Sequence, residues 1–329
     1  SESHPSHRRP ACVDRFYFGS CYYPEHWDAA TRAKDPARMR EAGWNCVRMG
    51  EFAWDLMEPR EGQFDFSLFD EVIEGLGCEG IVTILGTPTA APPRWLTLKY
   101  PEVLRVNSDG VPMQHGSRQH ASHASPVFRH CCARLVHALA DHYRDKPNVV
   151  GWQIDNEFHC HFSEDHSPAA QDAFVEFLRR KFAGDISALN RAWGTAFWAQ
   201  TYRSFEEIPT CRRAKPTFPN PAHELDYFRF LSEVVTSFQR EQVELLRRAQ
   251  PRWFITHNGC FPSIDYRGTF GRDLDVLGFD SYPLFTIQPD KRAQEHAFNL
   301  DRARSWTGNV LLLEQQSGAG GQPPYFHDN

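Results

Sequence analysis

Two glutamates in this chain stand at the ends of short apolar runs. The first run is Val149-Val150-Gly151-Trp152-Gln153-Ile154-Asp155-Asn156-Glu157, and the second is Val310-Leu311-Leu312-Leu313-Glu314. Runs of this kind read as buried strands of a parallel sheet. A carboxylate just past the strand lies on the rim where α/β barrels keep their active sites. Two such carboxylates facing each other across one cleft could cleave a glycosidic bond, which needs one carboxyl to handle a proton and another to engage the sugar. A lone glutamate at a strand end is more often a surface or salt-bridged group. Here Asn156 adds an amide beside Glu157 that could donate to a substrate hydroxyl.

The elements that must carry these residues alternate. Strands are predicted at Phe16–Tyr23, Asn45–Gly50, Gly80–Gly86, Val149–Asp155, Trp253–His257, Leu274–Phe279 and Asn309–Leu313. Helices are predicted over 29–41, 66–75, 127–144, 168–183, 186–194, 221–249 and 290–305, with a long loop over 87–125. In the 221–249 helix Leu225, Phe228, Leu231, Val234, Val235, Phe238, Val243 and Leu246 recur mostly at three and four. Alternation on this scale gives the α/β class and a (β/α)8 TIM barrel. Glu157 then follows the fourth strand and Glu314 the seventh, on opposite sides of the barrel mouth. The eighth strand and helix find no room after Leu313. The domain expectation is a polar arm over 1–14 and a catalytic barrel over 15–329, C-terminally incomplete.

Composition narrows the function classes. The chain has 329 residues, 41% hydrophobic and 24% charged, with a net charge of −6 when its 16 histidines are neutral. That suits a globular protein with a sizeable core. No apolar stretch approaches the ~20 residues of a membrane span. No basic cluster marks a nucleic-acid or membrane surface; Arg8-Arg9 and Arg212-Arg213 read as solvated ends or loops. Aromatic residues reach 13%; their faces can stack on sugars or simply fill a core. The nine cysteines form no CxxC pair and read as reduced, mostly buried small hydrophobes. The polar start Ser1-Glu2-Ser3-His4-Pro5 has no hydrophobic signal core, which makes cytoplasmic the default location, with secretion left open.

Several longer stretches carry a specific resemblance. They are Tyr22-Tyr23-Pro24-Glu25-His26-Trp27, Val47–Trp54 with Met57-Glu58-Pro59, Gly86–Leu96, Gly151–Phe158, Leu189–Gly194, Phe197-Trp198, Phe279-Asp280-Ser281-Tyr282-Pro283 and Glu314-Gln315-Gln316-Ser317-Gly318. In type and order they resemble the family 42 glycoside hydrolases, β-galactosidases built on (β/α)8 barrels. The resemblance implies a retaining enzyme that releases terminal β-D-galactose by double displacement. Glu157 would be the acid/base and Glu314 the nucleophile. The first must begin protonated and the second ionised. Arg48 would pair with Glu314, Arg118 would contact galactose, and Asn156 would bond near the sugar 2-hydroxyl. Trp198 would form a stacking wall, or else pack a helix. Tyr282 would hydrogen-bond the nucleophile, or else be a plain loop residue. No cofactor is implied. The partner is a β-galactoside, and the full-length form would be a homo-oligomer, a trimer by the same resemblance.

The chain also departs from that pattern. Some members hold a structural zinc with four cysteines. One of these falls at Ser122, and the others within His161–Gln171, where His166 stands but no cysteine. Cys160 with His159, His161 and His166 has the wrong spacing for a tetrahedral site, so no metal is expected. After the nucleophile, where members place a tryptophan, only Tyr325 and Phe326 are aromatic. Two alternatives stay open: another retaining β-glycosidase of the clan, or an inactive sugar-binding remnant.

Overall fold

The computed structural model describes residues 13, 15–213, 215–259, 261, 263–282 and 291–315. Seven parallel strands run through them: β1 (Gly19–Cys21), β2 (Cys46–Met49), β3 (Val82–Gly86), β4 (Val149–Gln153), β5 (Phe254–Thr256), β6 (Leu277–Ser281) and β7 (Val310–Gln315). The first five form one sheet in sequential order, and β6 pairs with β7. Backbone bonds join the two sheets. Asp275 N–H donates to Ile255 C=O at 2.9 Å, and Gly278 N–H donates to His257 C=O at 2.8 Å. On the far side Cys21 Sγ approaches the Leu313 carbonyl at 3.8 Å, so β7 comes back toward β1. This is the partial (β/α)8 barrel that the alternation predicts. Among the described residues no eighth strand lies between β7 and β1.

Alternation along the strands divides side chains between the barrel interior and the helical layer. On β2, Cys46 joins Ile84, Phe254 and Val276 in an inner cluster. Val47 and Met49 instead join the large core with Leu85, Trp152, Phe128, Leu135 and Leu246. Arg48, between them, points to the rim with the site residues. Val13, in the stretch expected to be a polar arm, is buried in the inner cluster. The rest of that arm, and everything after Gln315, lies outside the described residues.

The helices start where short polar caps precede proline. Ser125, Ser167 and Asn220 each accept a first-turn N–H, and Pro126, Pro168 and Pro221 follow at the first helical position. Proline there costs no hydrogen bond, because that N–H is unpaired in any helix. The helices so started are Pro126–Tyr143, Pro168–Lys181 and the 29-residue Pro221–Ala249. The second packs with Ile186–Trp193 and the start of the third around Phe174, Trp193 and Phe230, a satellite core inserted after β4. The predicted helix over 29–41 is two pieces, Ala29–Arg32 and Asp35–Glu41. The predicted 87–125 loop holds a helix, Arg94–Lys99. Strand β6 begins later than predicted, because Asp275 is spent capping β5: its carboxylate accepts from Ile255 N–H at 2.8 Å. No helix among the described residues is long and apolar enough to cross a membrane. Of the cysteines described, all are free; Cys46, Cys131, Cys132 and Cys211 are buried.

The buried imidazoles give the fold a pH dependence. Burial pushes His120, His223 and His257 down to about 4 and His159 down to about 3. Each stays neutral when folded but takes a proton near pH 6.5 once unfolded. Their contribution is therefore present above that pH and lost as pH falls toward 4. Asp155, which burial raises to about 6, and Asp280, raised by burial and by the Glu314 charge, act in the opposite sense. The histidines outnumber them, so unfolding free energy should fall between pH 6.5 and 4. The slope is about 1.4 kcal/mol per pH unit for each net proton. Urea unfolding at pH 7, 6 and 5 checks this; a flat or rising stability contradicts it.

Candidate active site

The site is assembled where β2, β4, β5, β6 and β7 end. Glu157 lies just past β4 in a left-handed backbone conformation, φ 47°, which non-glycine residues seldom adopt. Neighbours hold it there. Its N–H donates to Asn258 Oδ1 at 3.0 Å, and its carbonyl accepts from Gln119 Nε2 at 2.6 Å. Asp155, also left-handed at φ 52°, receives Thr89 Oγ1 at 2.6 Å and Asn156 N–H at 2.7 Å. The carboxylate of Glu157 accepts from Arg118 Nη2 at 2.9 Å and from Asn156 Nδ2 at 3.3 Å.

Glu314, on β7, is gripped from three other strands. Its Oε1 accepts from Arg48 Nη2 at 2.6 Å and Asn258 Nδ2 at 3.2 Å, and its Oε2 accepts from the Tyr282 hydroxyl at 2.5 Å. Burial, then the Glu314 charge, raises the Tyr282 phenol well above its ordinary range, so it stays a donor. Arg48 is almost wholly buried and also reaches Glu51 Oε1 at 3.0 Å, Gln153 Oε1 at 2.6 Å and Cys21 Sγ at 3.0 Å. Replacing Arg48 by methionine would strand the fully buried Glu51 as well as Glu314. Removing one partner of a buried pair costs about 3–5 kcal/mol, and lysine should not restore it, since it lacks the planar fork. Urea unfolding reads this; a loss under about 1 kcal/mol would contradict it.

One carboxylate oxygen from each of Glu157, Asp280 and Glu314 lies within 4.8 Å of the other two. Three carboxylates so close cannot all be charged. Burial, followed by the Glu314 charge, raises Asp280 well above the carboxylate range. Asn258 Nδ2 donates to its Oδ2 at 2.6 Å, while its Oδ1 meets no donor among the described residues. A proton held on Asp280 turns that atom from an unmet acceptor into a donor.

The structure thus brings Glu157, Glu314, Arg48, Arg118, Asn156 and Tyr282 into one network. Trp198 stands apart from it: its ring is 61% exposed, on a turn after the Ile186–Trp193 helix, and stacks on Phe197. Sequence reasoning missed Asn258, Asp280, Gln153 and Glu51. Asn258 follows β5 as Asn156 follows β4, which was a usable signal. Asp280 sits inside the Phe279–Pro283 stretch without being singled out. The zinc that some family members carry does not fit here. Ser122 Oγ faces Ser167 Oγ at 3.4 Å, and His166 Nδ1 pairs with Thr210 Oγ1 at 2.8 Å. No cysteine joins them in a metal-sized cluster among the described residues.

Comparison with known proteins agrees with this architecture. The profile of the family described as beta-galactosidase, family 42 of the glycoside hydrolases, matches residues 21–326. A beta-galactosidase of Thermus sp., BgaA, is 43% identical over 93% of this chain and 50% of its own length. Beta-galactosidase Bga of Halorubrum lacusprofundi is 39% identical over 93% of this chain and 46% of its own. The solved structure of the polyextremophilic beta-galactosidase from that haloarchaeon superimposes with a TM-score of 0.88 at 38% identity, over 94% of this chain and 48% of that one. The beta-galactosidase of psychrophilic Marinomonas ef1 gives 0.87 at 37%, over 92% and 48%. The chain spans about half the length of these relatives. On the match of its sequence from Cys21 onward and of its fold, the chain belongs to the family 42 glycoside hydrolases, the beta-galactosidase family.

Proposed function

We propose that residues 15–329 are the catalytic barrel of a retaining β-galactosidase, with Glu314 as nucleophile and Glu157 as acid/base. One observation carries this reading: one carboxylate oxygen of Glu157 and one of Glu314 lie within 4.8 Å of each other. Retaining pairs sit about 5–5.5 Å apart, whereas inverting pairs need about 6.5–9.5 Å to admit a water between them. In the first step Glu314 attacks the anomeric carbon while Glu157 protonates the departing oxygen. The galactosyl ester on Glu314 is then hydrolysed by water that Glu157 deprotonates. Arg48, Asn258 and Tyr282 fix the attacking carboxylate, which saves the cost of orienting it during reaction. Arg118 rests on Glu157 and moves to the sugar as substrate enters, freeing Glu157 to hold its proton. Homo-oligomeric assembly belongs to the same proposal and rests on the family resemblance.

The stereochemistry of the product tests it. Proton NMR during hydrolysis of an aryl β-galactoside should show β-galactose first, with the α-anomer growing in only by mutarotation. First appearance of α-galactose would overturn the reading.

A further inference from the structure

We propose that Glu157, Cys160 and His161 form a binding site for a thiophilic divalent cation of the zinc and cadmium class, and that filling it disables the carboxylate of Glu157. The second half rests on the acid/base reading of Glu157; the first does not.

A tight turn makes the site. Cys160 N–H donates to the Glu157 carbonyl at 3.0 Å, and left-handed backbone at Glu157 and His159, φ 47° and 66°, folds the following residues back over the carboxylate. One carboxylate oxygen, the Cys160 sulfur and one His161 nitrogen lie within 4.8 Å of one another. Sulfur, imidazole and carboxylate are the donors a zinc-class ion takes, at about 2.0–2.3 Å each. Those lengths set donors about 3.5 Å apart in a tetrahedron, which small side-chain rotations reach. The sequence reading counted only cysteine and histidine, and spacing ruled the set out. The structure supplies the missing donor as Glu157, while His166 turns away to Thr210.

A cationic group already lies between two of these donors. Arg118 Nη2 is 2.9 Å from Glu157 Oε2 and 2.9 Å from His161 Nε2. In the neutral ring Nε2 accepts that bond, so its lone pair already faces a positive charge and the ring proton is on Nδ1. A doubly charged ion takes the place of the guanidinium. Arg118 and Cys160 are partly exposed and His161 is exposed, so the ion enters from solvent and keeps a water in its fourth position. The metal–sulfur bond forms as the Cys160 S–H proton leaves to solvent. Glu157, now a ligand, can no longer carry a proton to a leaving group, and Arg118 is displaced from the sugar's entrance.

Cadmium titration of the folded, metal-free chain tests the site without needing turnover, since a cadmium–thiolate bond absorbs in the near ultraviolet. The proposal predicts one equivalent of this band, absent in Cys160→Ala and requiring at least tenfold more cadmium in His161→Ala. A band unchanged in Cys160→Ala would come from another thiol, such as exposed Cys78, and would overturn the site; so would unchanged affinity in His161→Ala. Zinc should also inhibit hydrolysis reversibly, with a chelator restoring it, and Cys160→Ala should need at least tenfold more zinc. Binding without inhibition would leave the site standing and reject its control of Glu157.

Discussion

Replacing Glu314 by glutamine is expected to lower kcat/KM for an aryl β-galactoside by on the order of 10⁵, about 7 kcal/mol of transition-state stabilisation. The amide has nearly the shape of the carboxylate but cannot form the glycosyl ester. The structure also says why the loss should be chemical. Arg48 keeps its ion pair with Glu51 at 3.0 Å, so the variant strands no buried guanidinium. The amide can keep its oxygen toward Arg48 and Asn258 and donate its NH2 to the Tyr282 hydroxyl, which can accept as well as donate. Steady-state kinetics beside a urea unfolding curve separates the two effects. A loss under about a hundredfold, with the fold intact, would mean that the nucleophile is another group.

Glu157→Ala should fail differently. Removing a general acid/base costs about 10²–10⁴ in rate, and the loss should depend on the leaving group. An activated aryl galactoside departs without a proton, so the first step survives and the ester on Glu314 accumulates. Azide, which needs no base, should then attack the ester, restore turnover and release β-galactosyl azide. The cavity left beside Arg118 and Asn156 gives that anion a place to stand. Turnover that azide leaves unchanged would remove Glu157 from the acid/base role.

Much of this was legible in the sequence because local rules decided it. The apolar runs before Glu157 and Glu314 became β4 and β7, and helices formed where 127–144, 168–183 and 221–249 were expected to be helical. Arg48 and Tyr282 could be assigned to Glu314 from their motifs, and both reach it. What stayed hidden depends on convergence across the barrel. Asn258 touches Asn156, Asp280 and Glu314, residues 102, 22 and 56 positions away. Nothing in the local pattern around Asp280, a polar residue within a buried strand, says that two other carboxylates will meet it. The Glu157–Cys160 turn was hidden for another reason. Left-handed backbone at non-glycine residues leaves no composition signal, so the approach of Cys160 and His161 to the carboxylate could not be read from spacing. Trp198 is a different case: its motif suggests a wall of the sugar site, and in this chain its exposed side chain stacks on Phe197.

The central claim is that Glu314 becomes bonded to the sugar. Incubation with an activated 2-deoxy-2-fluoro-β-galactoside slows both steps but the second more, so the ester should persist long enough for intact-mass and peptide mapping. The account predicts one fluorogalactosyl unit per chain, on the peptide carrying Glu314, and none in Glu314→Gln. An adduct on a different carboxylate, or folded protein that hydrolyses galactosides yet never labels, would contradict it.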